Sequence, residues 1–195
     1  FKKIKNSYLV IPFTLGNWPS FAEKAEDYRP ELRAAYLGPP FETRGIDTVA
    51  KIFRLAAPMD LKLIIRLERS ELRKRFSPFQ KLLSEATIVS GMLSRQELFE
   101  ELRDRNTAIL PFRVVMSECP IVVLEAIELG LHVITTKECG VSSLSGFPGS
   151  IMRSGADAAG AITNLRDLPR RSGPSSKEFF AAIEEYNNRF WKKKF

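Results

Sequence analysis

Cysteine and histidine are nearly absent: the chain has two cysteines, Cys119 and Cys139, and one histidine, His132, in 195 residues. Two cysteines make no disulfide framework, so a reducing compartment is expected. No CxxC or HxxxH spacing joins these three soft ligands, which argues against a structural zinc site. His132 sits in the middle of an apolar run and no GxSxG occurs, so Ser-His-Asp chemistry finds no support and a packed histidine is expected. No stretch of about 18 apolar residues is present, and no membrane-spanning helix is expected. The start, Phe1-Lys2-Lys3-Ile4, has neither an initiator Met nor a signal-peptide core and reads as part of a longer chain.

What is present is a globular composition, 44% hydrophobic and 27% charged, with apolar mass for a sizeable core. The net charge of +7 is confined to the ends. Lys2, Lys3 and Lys5 at one end and Arg189, Lys192, Lys193 and Lys194 at the other leave 23 basic against 23 acidic residues between them. A nucleic-acid domain carries its excess on one face of the body, so no nucleic-acid partner is expected.

Short β-branched runs alternate with helical patterns along the chain. Residues 7–13, 33–38, 61–67, 87–92, 108–112, 132–136 and 150–152 read as strands. Residues 44–55, 71–85 (interrupted by Pro78), 120–130 and 157–165 read as helices. Ser94 and Glu97 form a capping-box signature for a helix to about residue 104. Pro120 and Gly130 bracket the helix between them. Residues 168–174 are a Pro/Gly/Arg linker, and Ser175 with Glu178 caps a final helix over 175–195. Strands in alternation with helices imply βαβ units. Runs such as LKLIIRL and HVITT are near-continuous, as strands buried on both faces are. The expected fold is α/β: one doubly wound parallel sheet flanked by helices, with a core over about residues 31–167. Such sheets bind ligands beyond the carboxyl ends of their strands, where strand order switches.

Two places stand out chemically. The first is the stiff loop from Gly38 to Gly45, where Arg44 at a helix start either helps hold a phosphate or is a solvated turn residue. The second runs from Ser117 through Pro120 to Ala126, where a helix N-terminus offers an anion site. Glu125 interrupts an otherwise apolar helix. It either grips sugar hydroxyls or shares a thin solvated stripe with Glu128.

These residues resemble a family. AILPFR over 108–113, Ser117-Glu118-Cys119-Pro120, and residues 123–136 (VLEAIELGLHVITT) are similar to the donor-binding core of group 1 retaining glycosyltransferases. The earlier pieces follow in that family's order: Tyr36-Leu37-Gly38 with Arg44-Gly45, the strand at 61–67, and residues 87–92 with Gln96-Glu97-Leu98. The likeness covers about residues 33–165. It implies a Rossmann-like domain, the C-terminal half of a GT-B architecture. It also implies an N-terminal acceptor domain, without which turnover is poor or absent. By this resemblance Gly38 and Arg44 meet the diphosphate, with Cys119, Pro120 and Ile121 at the helix start. Glu125 holds the ribose, backbone near Gly91 and Met92 meets the base, and Glu118 faces the sugar. The donor, a UDP- or GDP-sugar, is a substrate, and no cofactor or metal is implied.

The sequence departs from the family pattern at several points. Pro39 stands where a basic residue is common, and His132 where a proline is usual. Glu118 and Glu125 are separated by six residues, one fewer than the family pattern, and alignment on Pro120 puts Ser117 in the first glutamate's place. These departures motivate an alternative, a non-catalytic nucleotide- or partner-binding module of the same fold. Another GT-B enzyme such as an epimerase or phosphorylase ranks below both. A cytoplasmic location is expected, with the basic ends either solubilising the chain or making a weak peripheral contact with the inner face of a membrane. That contact predicts sedimentation with anionic vesicles that weakens as salt rises and is lost when residues 1–5 and 189–195 are deleted. Vesicle binding indifferent to both changes would exclude it.

Overall fold

The structure is a computed structural model that describes residues 32–56, 58–65, 67, 71, 84–114, 120–143, 146–147, 149–153, 157, 159–160, 162, 179–181 and 184–185. The expected strand at 7–13, the linker, most of the helix at 71–85 and the cap of the last helix lie outside them. The strands are β1 (Arg33–Leu37), β2 (Asp60–Ile65), β3 (Thr87–Ser90), β4 (Thr107–Leu110), β5 (His132–Thr136) and β6 (Gly149–Met152). The helices are α1 (Ile46–Leu55), α2 (Arg95–Leu102) and α3 (Ile121–Glu128), with 3-10 turns at Glu42–Arg44 and Gly140–Ser143.

All six strands pair in parallel in the order β3-β2-β1-β4-β5-β6. The expected doubly wound sheet is therefore present, and its order reverses between β1 and β4. Side chains along β1 explain the unbroken apolar runs. Ala35 and Leu37 enter one core with Leu98, Phe99 and Leu102 of α2 and Val123, Leu124, Ala126 and Ile127 of α3. Ala34 and Tyr36 enter the opposite core with Ile46, Val49 and Ile52 of α1. Each fully buried Ile or Val there contributes about 1.5–3 kcal/mol relative to exposure. Residues 157, 159–160 and 162 are helical where a helix was expected, and Ile162 joins the α1 core. Residues 179–181 and 184–185 are likewise helical, and Phe179 joins the core that α2 and α3 cover.

Boundaries shift by small amounts for local reasons. Helix α1 starts at Ile46 rather than residue 44, because Glu42–Arg44 winds as a 3-10 turn and Gly45 takes φ +75°, which no continuing helix tolerates. The capping box of α2 forms as the sequence implies: the Glu97 amide donates to the Ser94 hydroxyl, and the Ser94 amide to the Glu97 carboxylate. Pro120 is the N-cap of α3 rather than a residue of its first turn. Gly130, at φ +70°, ends that helix. His132 opens β5 at the amino edge of the sheet, half-buried, with Nε2 2.9 Å from the Ser150 hydroxyl. Burial lowers its pKa. No helix among the described residues is long and apolar enough to cross a membrane.

That same amino edge carries an ion cluster. The Arg105 side chain is 6% exposed; its Nη1 lies 2.8 Å from Asp60 Oδ2 and its Nη2 2.6 Å from Asp104 Oδ2. Lys62 reaches Glu101 at 3.1 Å and Asp104 at 3.6 Å. The hydrogen bond from Arg105, joined by the attraction of Arg105 and Lys62, outweighs partial burial and holds the Asp104 carboxyl at about 2. A depressed carboxylate contributes stability that is fully present above its unfolded pKa and is lost as pH falls through the folded one. Stability contributed by Asp104 is thus expected to fade between about pH 4 and pH 2. Arg105→Ala should cost about 1–3 kcal/mol at neutral pH, less than a fully enclosed pair because the carboxylates left behind are half-exposed. Urea melts at pH 7 and pH 3 should show that the variant has lost much of the acid sensitivity; an unchanged loss between the two would exclude the cluster as its source.

Candidate functional site

The site forms where the loops leaving β1 and β4 meet at the carboxyl edge. Past β1, Gly38 turns the chain at φ +134° and donates its N–H to the Ile64 carbonyl at 3.0 Å. The Tyr36 hydroxyl donates to the Pro39 carbonyl at 2.7 Å and pins the prolines. Burial pushes that hydroxyl above the ordinary tyrosine range, with nearby Arg44 pulling the other way. Arg44 then closes the 3-10 turn, and Gly45 leads into α1.

Past β4, the Thr135 hydroxyl donates to the Leu110 carbonyl at 2.8 Å and the Thr136 hydroxyl to the Phe112 carbonyl. The amides of Arg113 and Val114 both donate to the Thr43 carbonyl, at 3.0 and 3.1 Å. Gly45 lies so near this segment that a Cβ on it would stand 1.9 Å from the Pro111 carbonyl oxygen. The Arg113 guanidinium pairs with the Asp47 carboxylate across the two loops. Arg44 lies over the Phe112 ring with Cζ 5.4 Å from its centroid, within cation–π range. Arg44 is half-buried, and no carboxylate pairs with it among the described residues.

The expected site residues divide accordingly. Gly38 and Arg44 stand together at the switch point. Pro120, Ile121 and Glu125 are carried by α3, the helix that leaves from the same edge after β4. Pro120 is buried and Ile121 is exposed. Glu125 is half-buried, and it is not without a partner. It shares the outer stripe of α3 with Ile121 and Glu128, whose carboxyl is pushed up by burial against the pull of Arg95. Ser117, Glu118 and Cys119 lie outside the described residues. Gly91 and Met92 follow β3, about 10 Å from β1 at two strand spacings. The Gly91 amide already donates to the Ile65 carbonyl at 3.1 Å, so it has no N–H left to offer a base. Met92 is 77% exposed. Cys139 is a buried free thiol whose pKa burial raises. Among the described residues no three of His, Cys, Asp and Glu are grouped as metal ligands.

Residue-type reasoning singled out Arg44 but not the surface beneath it. Phe112, Thr43, Asp47 and Arg113 complete the site; Phe112 and Arg113 fall in the AILPFR run, and the only trace of Thr43 and Asp47 in sequence is position. Phe112 and Arg113 follow β4 much as Arg44 follows β1, and Asp47 lies in the first turn of the helix that Arg44 precedes. The Gly45–Pro111 contact is testable. Gly45→Ala should destabilise the protein by on the order of 3 kcal/mol, from the left-handed backbone plus the clash. Gly160→Ala, in a helical segment with open space around it, should be neutral or stabilising. Equal melting temperatures for the two variants would contradict the close approach.

No family model matches the chain, and no curated protein is significantly similar to it in sequence. Solved structures share its fold. Sucrose-phosphate synthase from Thermosynechococcus elongatus superposes with a TM-score of 0.63 at 17% identity, over 84% of this chain and 45% of that one. A glycosyltransferase involved in avilamycin A biosynthesis gives 0.57 at 16% identity, over 83% of this chain and 50% of that one. The C-terminal domain of a group 1 family glycosyl transferase from Francisella tularensis gives 0.58 at 12% identity, over 79% of this chain and 85% of that domain. Anabaena HepE, solved in complex with UDP-glucose, gives 0.59 at 12% identity over 84% of this chain. The chain spans about half the length of the full-length neighbours and most of the isolated C-terminal domain. What this likeness establishes is the fold: a Rossmann-like, parallel α/β domain shared with these solved structures.

Proposed function

We propose that this chain is the donor side of a retaining glycosyltransferase and binds a nucleotide-diphospho-sugar for transfer of a hexosyl group to a glycan or lipid-linked acceptor. One observation carries the reading: a half-buried arginine, Arg44, rests on the Phe112 ring at the switch point with no carboxylate partner among the described residues. A cation held in that way is suited to a phosphate. Arg44 is preset by the ring and the 3-10 turn, so little freedom is lost when it binds. Transfer leaves negative charge on the departing diphosphate. Arg44 and the amide dipoles at the start of α3 would stabilise that charge as it grows, without reorganising water. Glu125 is assigned to the ribose hydroxyls, and Ser117 or Glu118 to the sugar. The acceptor face is assigned to an N-terminal domain opposite the carboxyl edge. The UDP-glucose bound by HepE supports a nucleotide sugar as the ligand class.

A second reading, a binding module without transfer, rests on Pro39 in the place of a basic residue and on the shortened glutamate spacing. The two part when an acceptor domain is supplied, since sugar transfer by the joined chain eliminates the second.

Thermal unfolding tests the common core of both. At a hundred times Kd, UDP-glucose or GDP-mannose should stabilise the chain by about 2.7 kcal/mol, which is roughly 5–10 °C for a domain of this size. Arg44→Ala and Glu125→Ala should each remove most of that shift while leaving the unliganded melting temperature within about 2 °C, as expected for side chains that are not fully buried. No shift with any saturating UDP- or GDP-sugar would defeat the reading.

A further inference from the structure

The loops that build the site meet through an ion pair that stability alone does not explain. Asp47, in the first turn of α1, has its side chain 18% exposed, and Arg113, past β4, has its side chain 48% exposed; they are 66 residues apart in sequence. One Asp47 oxygen takes the guanidinium, while the other, Oδ1, is buried without a hydrogen-bond partner. A carboxylate with a buried orphan oxygen costs folding free energy that an apolar side chain in the same place would not. The helix start already suits an acid there, but that alone does not require burial or a partner from another loop. What the pair does is geometric. Beside it, the Thr43 carbonyl receives the amides of Arg113 and Val114, and Phe112, the residue before Arg113, lies beneath Arg44.

We propose that Asp47 and Arg113 are a positioning pair, holding the β4 exit loop on the β1–α1 turn so that Arg44 stays on the Phe112 ring, aimed to receive a phosphate. The phosphate clause rests on the donor-binding reading above, whereas the holding role does not. Neither residue is assigned a contact with the ligand.

The test uses the whole chain with Arg113→Gln, Asp47→Asn, the double variant and the conservative Arg113→Lys. Proton signals of the Arg44 side chain, displaced by the Phe112 ring current, should move toward their random-coil positions in the first three variants and stay in place in Arg113→Lys. Exchange of the Arg113 and Val114 amides should quicken by roughly tenfold, the rate equivalent of one modest ion pair, and the double variant should be no faster than either single one. Calorimetric titration with UDP should show Kd raised by a similar factor, with melting temperatures nearly unchanged. Arg44 signals and amide exchange that do not respond would overturn the pair as a positioning device, whether or not UDP binds. A response in both with unaltered UDP affinity would overturn its role toward the phosphate. If UDP and GDP fail to bind the unaltered chain while the Arg44 signals respond, the holding role stands and the donor-binding reading falls.

Discussion

The bare backbone of Gly45 against Pro111 is the constraint on which the site depends. A side chain at that point would collide with the Pro111 carbonyl, so only glycine lets the start of α1 settle on the exit of β4. That approach brings together the segments between which the Thr43 carbonyl takes two amides, Asp47 pairs with Arg113, and Arg44 meets Phe112. A parallel sheet leaves a crevice wherever its strand order reverses, because the connecting helices depart to opposite faces. Here α1 covers one face and α3 the other. The crevice between them is bridged by backbone contacts, and Arg44 beside it pairs with no carboxylate among the described residues.

Charge is distributed in keeping with that division. At the amino edge, Arg105 and Lys62 are satisfied by Asp60, Glu101 and Asp104, and the cluster ties β2 to the end of α2. At the carboxyl edge, Arg44 rests on an aromatic ring and pairs with no acid among the described residues. A satisfied ion cluster contributes to folding and has nothing left for a ligand, whereas a cation without a carboxylate retains its field for an incoming anion. His132 and its Ser150 partner belong to the amino edge, far from the switch point, which is why the lone histidine has no place in the chemistry proposed.

The strands and helices were legible because burial on both faces writes itself into the chain. Ala34 and Tyr36 go to one core and Ala35 and Leu37 to the other, so β1 reads as an unbroken apolar run, and the same holds for β2 and β5. The capping box at Ser94 and the glycine stop at Gly130 follow from hydrogen bonds and backbone angles confined to a few neighbouring residues. The site was legible only where one residue carried the signal. Arg44 announced itself as a base at a helix start, and Gly38 as the turn before it. The Gly91 amide showed no sign in sequence of being already bonded to Ile65.

The amino-acid order by itself determined a doubly wound parallel sheet and, to within about two residues for α1, α2 and α3, where its helices stop and start. Each of these rests on periodicity or on interactions within about one helical turn. Only the tertiary structure decided that Thr43, Arg44, Gly45 and Asp47 would be completed by Pro111, Phe112, Arg113 and Val114. Those pairings join segments some 66 residues apart through the adjacency of β1 and β4. Adjacency in a sheet is settled by how the whole core packs, and no local pattern encodes it.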